Sequence, residues 1–321
     1  MMPVKTGKAA DGRGLWLKFT ITTPPEFVEG LSNFLMELGA QGVFQEELDI
    51  SSFTDAPEPP SRGVLNAFLP SNASDRSHIT ALTTYINSIS EMFPELERPQ
   101  VVTEVLVDPD WEEQWKKYFK PLRVTRSIVI KPTWERYQAT SRDTVIDIDP
   151  GMAFGTGQHP STWMCLEAME EILLKDRSFR DWRVLDVGTG TGILGIAAAK
   201  LGAKSVMCVD IDPRAVEIAH ENVAVNRVGD RVVIVNSDVV KIKGSFELIV
   251  ANLTADALIK IKSHLVKMME PGGYLVISGI IEQNRRDIEK AFLKDRLATH
   301  RAITDREWIS YVFKKPPGAN G

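Results

Sequence analysis

The feature that most constrains the fold is a regular alternation of apolar strands and helices after residue 160. Strands are predicted over residues 183–187, 205–211, 231–236, 247–252 and 273–279, and two closing strands around 297–303 and 307–313. Helices are predicted over residues 160–174, 192–201, 213–226, 254–269 and 282–294. Parallel strands are apolar along most of their length because helices cover both faces of their sheet. We therefore predict an α/β, Rossmann-like, doubly wound fold with a mostly parallel seven-stranded sheet.

The first third of the chain predicts a smaller α+β unit. Residues 15–22 alternate apolar and polar side chains, as a half-buried strand does, and apolar residues after Thr23 recur at helical spacing. Two further strands, a helix over 79–93 and a strand over 101–107 complete the order β-α-β-β-α-β, which is found in ferredoxin-like folds. Residues 108–122 predict a short amphipathic helix that links the two parts.

The composition is that of a soluble globular protein in a reducing compartment. The 321 residues suit two domains, and 43% hydrophobic with 25% charged residues excludes a wholly disordered chain. No run reaches the ~18 apolar residues of a membrane span, and no apolar segment follows the first residues as in a secretory signal. Cys165 and Cys208 lack the spacing of a disulfide framework or metal site. We expect a cytoplasmic protein.

The charge of the chain is unevenly distributed. Residues 1–125 hold 11 Lys+Arg and 18 Asp+Glu, whereas residues 126–321 hold 27 and 25. An acidic front part suits a basic protein partner, and an acidic surface that only aids solubility is the alternative interpretation. With a pI near 5.7, the chain lacks the bulk positive charge typical of nucleic-acid binding.

The strongest local motif is VLDVGTGTGILG at residues 184–195. Gly188, Gly190 and Gly192 follow a predicted strand and precede a helix, so the backbone can turn sharply and approach a ligand closely. The free N–H groups of a helix start favour an anionic group. This region is therefore predicted to bind a ligand.

The same segment also contains GxGxxG, which is typical of dinucleotide sites. Here, however, Asp186 lies within the strand, where a carboxylate would repel a pyrophosphate but could hold a cation or a bound water. The motif therefore favours a zwitterionic ligand such as S-adenosylmethionine over a dinucleotide.

Acidic residues follow the next two strands. Asp210 lies 22 residues after Gly188 and can accept hydrogen bonds from both hydroxyls of a ribose. Asp212 is placed to cap the helix that begins at Pro213. Asp238 suits either a position near an adenine or an ordinary turn.

The last two candidate segments are IVANLTADAL and DPGMAFGTGQHPST. Asn252 ends a predicted buried strand, and its amide can accept a hydrogen bond from an amine that is being alkylated; Thr254 suits the helix cap better. The loop over 151–160 can close over a ligand, and His159 is either a proton acceptor or a structural residue.

The ordered set DPGMAFGTGQHPST, VLDVGTGTGILGIAAAKLGA, VDIDPRAV and VANL resembles the ribosomal protein L-eleven methyltransferase family over nearly the whole chain. The resemblance implies a class I S-adenosylmethionine-dependent enzyme that methylates lysine side chains and α-amino groups of that ribosomal protein. It implies domains at 1–107 (ferredoxin-like, substrate recognition), 108–125 (linker) and 126–315 (methyltransferase), with a disordered tail at 316–321.

The family resemblance places the cofactor contacts on Thr162, Gly188, Asp210 and Asn252, and the motif adds Gly190. Asn252 is the predicted catalytic residue, and we expect no metal, no membrane, no required nucleic-acid contact and a monomer. The alternatives are a class I methyltransferase that acts on another protein or RNA, a dinucleotide-dependent oxidoreductase, and a non-catalytic adaptor that retains the fold.

Overall fold

The computed structural model describes residues 15–40, 42–46, 63–71, 74–107, 119–149, 159–176, 181–293 and 297–317. The chain divides into two compact units, one of residues Met1–Tyr118 with Pro150–Met152, and one of residues Phe119–Asp149 with Ala153–Gly321. The predicted linker helix spans residues 108–122, of which 108–118 lie outside the described residues; residues 119–122 are not helical, and Leu122 begins a strand. Residues 151–158 of the predicted loop at 151–160 also lie outside the described residues, so that loop stays a prediction.

The first unit is a four-stranded antiparallel sheet with two helices. Its elements are β1 (Leu15–Thr23), α1 (Pro25–Glu37), β2 (Gly42–Glu46), β3 (Gly63–Pro70), α2 (Asp75–Met92) and β4 (Gln100–Val107). The strand order in the sheet is β2-β3-β1-β4. The observed β-α-β-β-α-β order is the one that the sequence predicts for a ferredoxin-like unit.

One face of this sheet packs against both helices. Alternate residues of β1, such as Phe19 and Ile21, lie in one apolar core with Leu31 of α1 and Leu82 of α2. Strand alternation directs these side chains to a single face, because successive residues of a strand point to opposite sides. The helix α2 begins at Asp75, four residues before the predicted start, because Ser74 and Asp75 open a polar first turn without apolar periodicity.

The second unit contains the seven-stranded sheet, and a small sheet precedes it. The small sheet consists of β5 (Leu122–Arg123), β6 (Ile128–Lys131) and β7 (Thr144–Asp147). The main sheet consists of β8 (Arg183–Val187), β9 (Ser205–Asp210), β10 (Val232–Asn236), β11 (Phe246–Asn252), β12 (Met269–Ile281), β13 (Ala298–Asp305) and β14 (Trp308–Lys314). Its order is β10-β9-β8-β11-β12-β14-β13; the first five strands are parallel, and β14 is antiparallel to both neighbours. The predicted mostly parallel α/β sheet is confirmed.

Helices cover both faces of the main sheet and define two apolar cores. They are α3 (Pro160–Lys175), α4 (Ile193–Lys200), α5 (Pro213–Val225), α6 (Ala255–Met268) and α7 (Arg285–Phe292). Residues of α3, α4 and α5 share one core with Val184 and Val250, and residues of α6 and α7 share the other with Leu185 and Ile249. Neighbouring residues of one strand thus serve opposite cores, which explains why these strands are apolar throughout.

The small sheet is attached to α3 through a buried carboxylate. Glu170 of α3 accepts hydrogen bonds from Thr125 Oγ1 at 2.9 Å, from the Ser127 N–H at 2.7 Å and from the Ser127 hydroxyl. A buried charge is tolerated when several donors satisfy it. The contact therefore fixes α3, whose N-terminal turn carries Thr162, against the β5–β6 hairpin.

Candidate functional site

The predicted site residues meet at the carboxyl edge of the main sheet. β8 and β11 are neighbours, although the chain visits β9 and β10 on the far side of β8 between them. Such a reversal is a topological switch point, and ligands of open α/β sheets bind in the crevice outside the strand ends there. Gly188 follows β8 and Asn252 ends β11, so both flank this crevice.

The glycine turn after β8 has a backbone that other residues adopt rarely. Gly188, Gly190 and Gly192 have φ angles of 72°, 54° and 82°. The Gly188 N–H donates to the Val209 carbonyl at 2.9 Å, which holds the turn against the end of β9. A Cβ on Gly188 would lie 2.5 Å from Leu253 Cδ2, so the residue also needs glycine for space. The turn is therefore closely packed between two strand ends.

Asp186 lies on the buried side of this turn, and the expectation that its carboxylate holds a cation or a water stays a prediction. The residue is fully buried, and its Oδ2 accepts hydrogen bonds from Thr189 Oγ1 at 2.6 Å and from the Gly195 N–H at 3.0 Å. Burial raises the pKa of its carboxyl to about 6, against the lowering effect of these two hydrogen bonds. The carboxylate therefore orients backbone groups of the turn.

Asp210 lies where the sequence predicts a ribose contact. Its Oδ2 accepts from the Gly190 N–H and its Oδ1 from the Asp212 N–H, both at 3.0 Å. Each carboxylate oxygen can accept more than one hydrogen bond, so both can still take ribose hydroxyls. The side chain is half-buried and is fixed in place by the glycine turn itself.

The neighbours of Asp210 separate into capping and exposed residues. Asp212 Oδ1 accepts from the Arg214 N–H at 2.9 Å and caps α5, as predicted. Asp238 accepts from the Val240 N–H at 3.0 Å and caps a short 3-10 turn, which favours its interpretation as a turn residue. Ile211 is 75% exposed beside Asp210, an apolar side chain that a planar base can cover.

Asn252 is connected to α3 by its side chain. Its Nδ2 donates to Thr162 Oγ1 at 3.3 Å, and Thr162 is only 3% exposed in the first turn of α3. Asn252 itself is half-buried. Thr254 occupies the cap position of α6, as predicted, but its side chain makes no capping hydrogen bond. The structure thus brings Thr162, Gly188 and Asn252 together around the end of β11.

Sequence reasoning missed two residues that position Asn252. Leu253 packs on Gly188 and donates its N–H to the Ser278 carbonyl at 3.0 Å. Gly279 has a φ of 83°, and a Cβ there would lie 2.6 Å from the Leu253 carbonyl oxygen and 3.0 Å from Asn252 Oδ1. The signal in the sequence is the glycine that ends the apolar strand at 273–279.

His159 caps α3. Its Nδ1 lies 2.7 Å from Ser161 Oγ and accepts from the Ser161 N–H at 3.2 Å, and its ring packs edge-on against Trp308 at 4.6 Å. Burial lowers the pKa of the imidazole to about 4, so the ring is neutral at pH 7. These contacts favour the structural interpretation of His159 over the proton acceptor.

No group of three or more His, Cys, Asp or Glu side chains within the described ranges is arranged to hold a metal ion. In the same part of the chain, no helix is long and apolar enough to cross a membrane.

Comparisons with known proteins agree on one family. A model of the family described as ribosomal protein L11 methyltransferase (PrmA) matches residues 15–316. Proteins named ribosomal protein L11 methyltransferase are 38% identical over 304 residues in Citrifermentans bemidjiense and 35% identical over 314 residues in Bacillus velezensis. Each alignment covers 94% of this chain, and 98% and 99% of the relative, respectively.

A solved structure is similar to this chain as well. The crystal structure of ribosomal protein L11 methylase from Lactobacillus delbrueckii subsp. bulgaricus superposes with a TM-score of 0.54 and 32% sequence identity. The superposition covers 61% of this chain and 98% of that one.

Proposed function

Because this chain belongs to the ribosomal protein L11 methyltransferase family, we propose that it transfers methyl groups from S-adenosylmethionine to ribosomal protein L11. Membership also confirms the family resemblance and the class I methyltransferase fold predicted from the sequence. The observation that carries the proposal is the convergence of Thr162, Gly188, Asp210 and Asn252 on one crevice at the switch point.

The chemistry of this crevice fits S-adenosylmethionine. Asp210 offers two carboxylate oxygens to the ribose, and Ile211 offers an exposed apolar surface to the adenine. Gly188 and Gly190 allow the methionine part to approach the backbone closely. Asp210 ends β9, on one side of β8, and Asn252 ends β11, on the other side, where Thr162 contacts it.

The reaction that this site favours is an in-line displacement. When bound, S-adenosylmethionine supplies an electrophilic methyl group on its sulfonium. A lysine of reference pKa about 10.4 is neutral in roughly one molecule in 2500 at pH 7, which corresponds to about 4.6 kcal/mol. Desolvation beside a cation lowers this pKa, and fixed orientation of the reactants supplies much of the remaining acceleration.

Asn252 orients the attacking amine in this proposal. Its Nδ2 is held by Thr162, which leaves Oδ1 to accept a hydrogen bond from the amine. His159 is neutral and caps α3, so no strong general base is assigned. We therefore propose lysine side-chain and α-amino groups as the acceptors, with Asn252 as the catalytic residue.

Mass spectrometry of L11 incubated with the enzyme and S-adenosylmethionine tests this function. We expect added methyl groups on lysine or the amino terminus of L11, and label confined to rRNA would contradict the proposal. A thermal shift with S-adenosylmethionine but not with NAD would separate it from the dinucleotide alternative. Absence of turnover with a bound cofactor would instead favour a non-catalytic adaptor.

The role of Asn252 is tested by Asn252→Ala with Thr254→Ala as the control. We expect Asn252→Ala to lower kcat by about 100-fold while cofactor binding falls much less, because orientation of the amine is lost. Thr254 is exposed two residues away and makes no capping bond, so its variant should keep wild-type kcat. The same kcat in both variants would contradict a catalytic role of Asn252.

The remaining predictions follow from this function. We propose that the chain acts as a monomer in the cytoplasm, where its ribosomal-protein substrate is made, without a required nucleic-acid contact. The excess of acidic residues before residue 125 supports a basic protein as the partner.

A further inference from the structure

The outer edge of the first sheet carries an exposed apolar strand. β4 lies at the end of the strand order β2-β3-β1-β4. Its side chains Val101, Val102 and Val105 are 37%, 60% and 56% exposed. Together with Met92 and Phe93 just before it, this stretch holds five of the thirteen large apolar side chains that are exposed among the described residues.

An edge strand of this kind can form backbone hydrogen bonds with a strand of another chain. Among the described residues no strand pairs with the outer side of β4, and proteins usually protect such edges with charged side chains, proline or a bulge. The β4 sequence QVVTEVLV has no lysine and no proline, its one charged residue is Glu104, and its register with β1 is continuous from Leu15 and Val107 to Thr22 and Gln100. Of the two edge strands of the main sheet, β13 carries His300 and Arg301, whereas β10 (VVIVN) is uncharged and lacks an acidic side chain such as Glu104 of β4.

The side chains around β4 are mainly acidic, which favours a basic partner. Glu91, Glu95, Glu97 and Glu104 are exposed on or just before the strand, whereas Arg98 is the single cation between residues 91 and 105. Glu104 Oε2 lies 3.8 Å from Lys18 Nζ, and the Glu104 side chain remains 54% exposed. An apolar, acidic edge complements an extended segment that carries valine-like and lysine side chains.

We propose that β4 binds an extended, lysine-bearing segment of the ribosomal-protein substrate as an added fifth strand of the first sheet. This inference rests on the proposed function for the identity of the partner. Backbone pairing along β4 supplies affinity, the exposed valines bind apolar side chains, and the glutamates favour a basic segment over a neutral one. The substrate is thereby held at a site distinct from the crevice at the switch point.

Hydrogen exchange of the full chain with and without purified L11 tests the pairing directly. We expect the β4 amides that do not bond to β1 to exchange roughly tenfold more slowly when L11 is bound, since an added strand protects them. The amides of β10, the edge strand of the main sheet, serve as the internal control. Bound L11 without protection of β4 would overturn the inference.

The variant Val102→Lys gives a second test, with Val233→Lys as its match. Val233 is 59% exposed on β10, so both variants place a cation on an exposed edge valine. We expect only Val102→Lys to raise KM for L11, by roughly tenfold, while kcat at saturating L11 and the Kd for S-adenosylmethionine stay within about twofold.

The two proposals fail in different ways. A wild-type enzyme that does not methylate L11 would contradict the proposed function. An enzyme that methylates L11 with the same KM in both valine variants, and without protection of β4, would refute only the docking edge.

Discussion

At the scale of single residues, the site depends on carboxylates that accept backbone N–H groups. Asp186 accepts from the Thr189 hydroxyl of the glycine turn and from the Gly195 N–H of α4, whereas Asp210 accepts from the Gly190 N–H of the turn. Asp210 stays half-exposed, whereas Asp186 is fully enclosed and has a raised pKa. The sequence shows both as acidic residues of successive predicted strands, but only the structure shows that one is enclosed and the other is partly accessible.

The raised pKa of Asp186 predicts a pH-dependent stability. A carboxyl whose folded pKa of about 6 exceeds its unfolded value of 3.8 favours the folded state when protonated, so its contribution is lost as pH rises through about 4 to 6. The ionised form costs roughly 3 kcal/mol at neutral pH. We expect Asp186→Asn to show a flatter decline of unfolding free energy over this range in urea titrations.

The control for this measurement is Asp230→Asn, which changes an exposed carboxylate of 73% accessibility. It should keep the wild-type pH dependence. The same slope in Asp186→Asn would show that the buried carboxyl does not carry the effect.

Asp210 and Asp212 provide a matched pair for cofactor binding. We expect Asp210→Ala to weaken S-adenosylmethionine by about 100-fold, because two charge-assisted hydrogen bonds to the ribose are lost. Asp212→Ala removes only the cap of α5, with a cost of about 1 kcal/mol in stability and little change in affinity. Isothermal titration calorimetry of both variants with S-adenosylmethionine measures this difference. If Asp210→Ala binds the cofactor as tightly as Asp212→Ala does, Asp210 does not contact it.

At the scale of elements, the strands are predicted more accurately than the turns between them. The order along the chain of the parallel strands β8 to β12 follows from apolar runs of five to seven residues, since burial on both faces leaves few polar positions. The contacts of Leu253 and Gly279 are different in kind. These contacts depend on how closely β12 approaches the end of β11, and the spacing of residues in the sequence does not predict that distance.

Gly279→Ala tests this approach, with Gly202→Ala as the match. Both glycines have positive φ, of 83° and 103°, and this backbone strain alone should cost each variant roughly 1–2 kcal/mol of stability. A Cβ on Gly202 meets nothing within 4 Å, whereas one on Gly279 meets Asn252 and Leu253. We therefore expect only Gly279→Ala to lower kcat, by about tenfold or more. Full activity in both variants would contradict the positioning role.

At the scale of the whole molecule, charge separates the two parts of the chain. Residues 1–125 have a net charge of −7, and the remainder has a net charge of +2. If the acidic part binds a basic ribosomal protein, screening by salt weakens their attraction. We expect KM for L11 to rise severalfold between about 50 and 500 mM salt, with kcat nearly constant. A salt-independent KM would favour the solubility interpretation of the acidic surface.

The sequence by itself determined the strand and helix order and the glycine turn, and it identified Asp210 and Asn252 as candidate site residues, because periodicity and turn chemistry are local properties of the chain. Only the tertiary structure decided which side chains face the crevice. It buried Asp186 beneath the turn, made His159 a helix cap, and placed Thr162 within 3.3 Å of Asn252, 90 residues away. The physical reason is that burial and contact arise from packing between distant segments, and these set both pKa values and side-chain orientation.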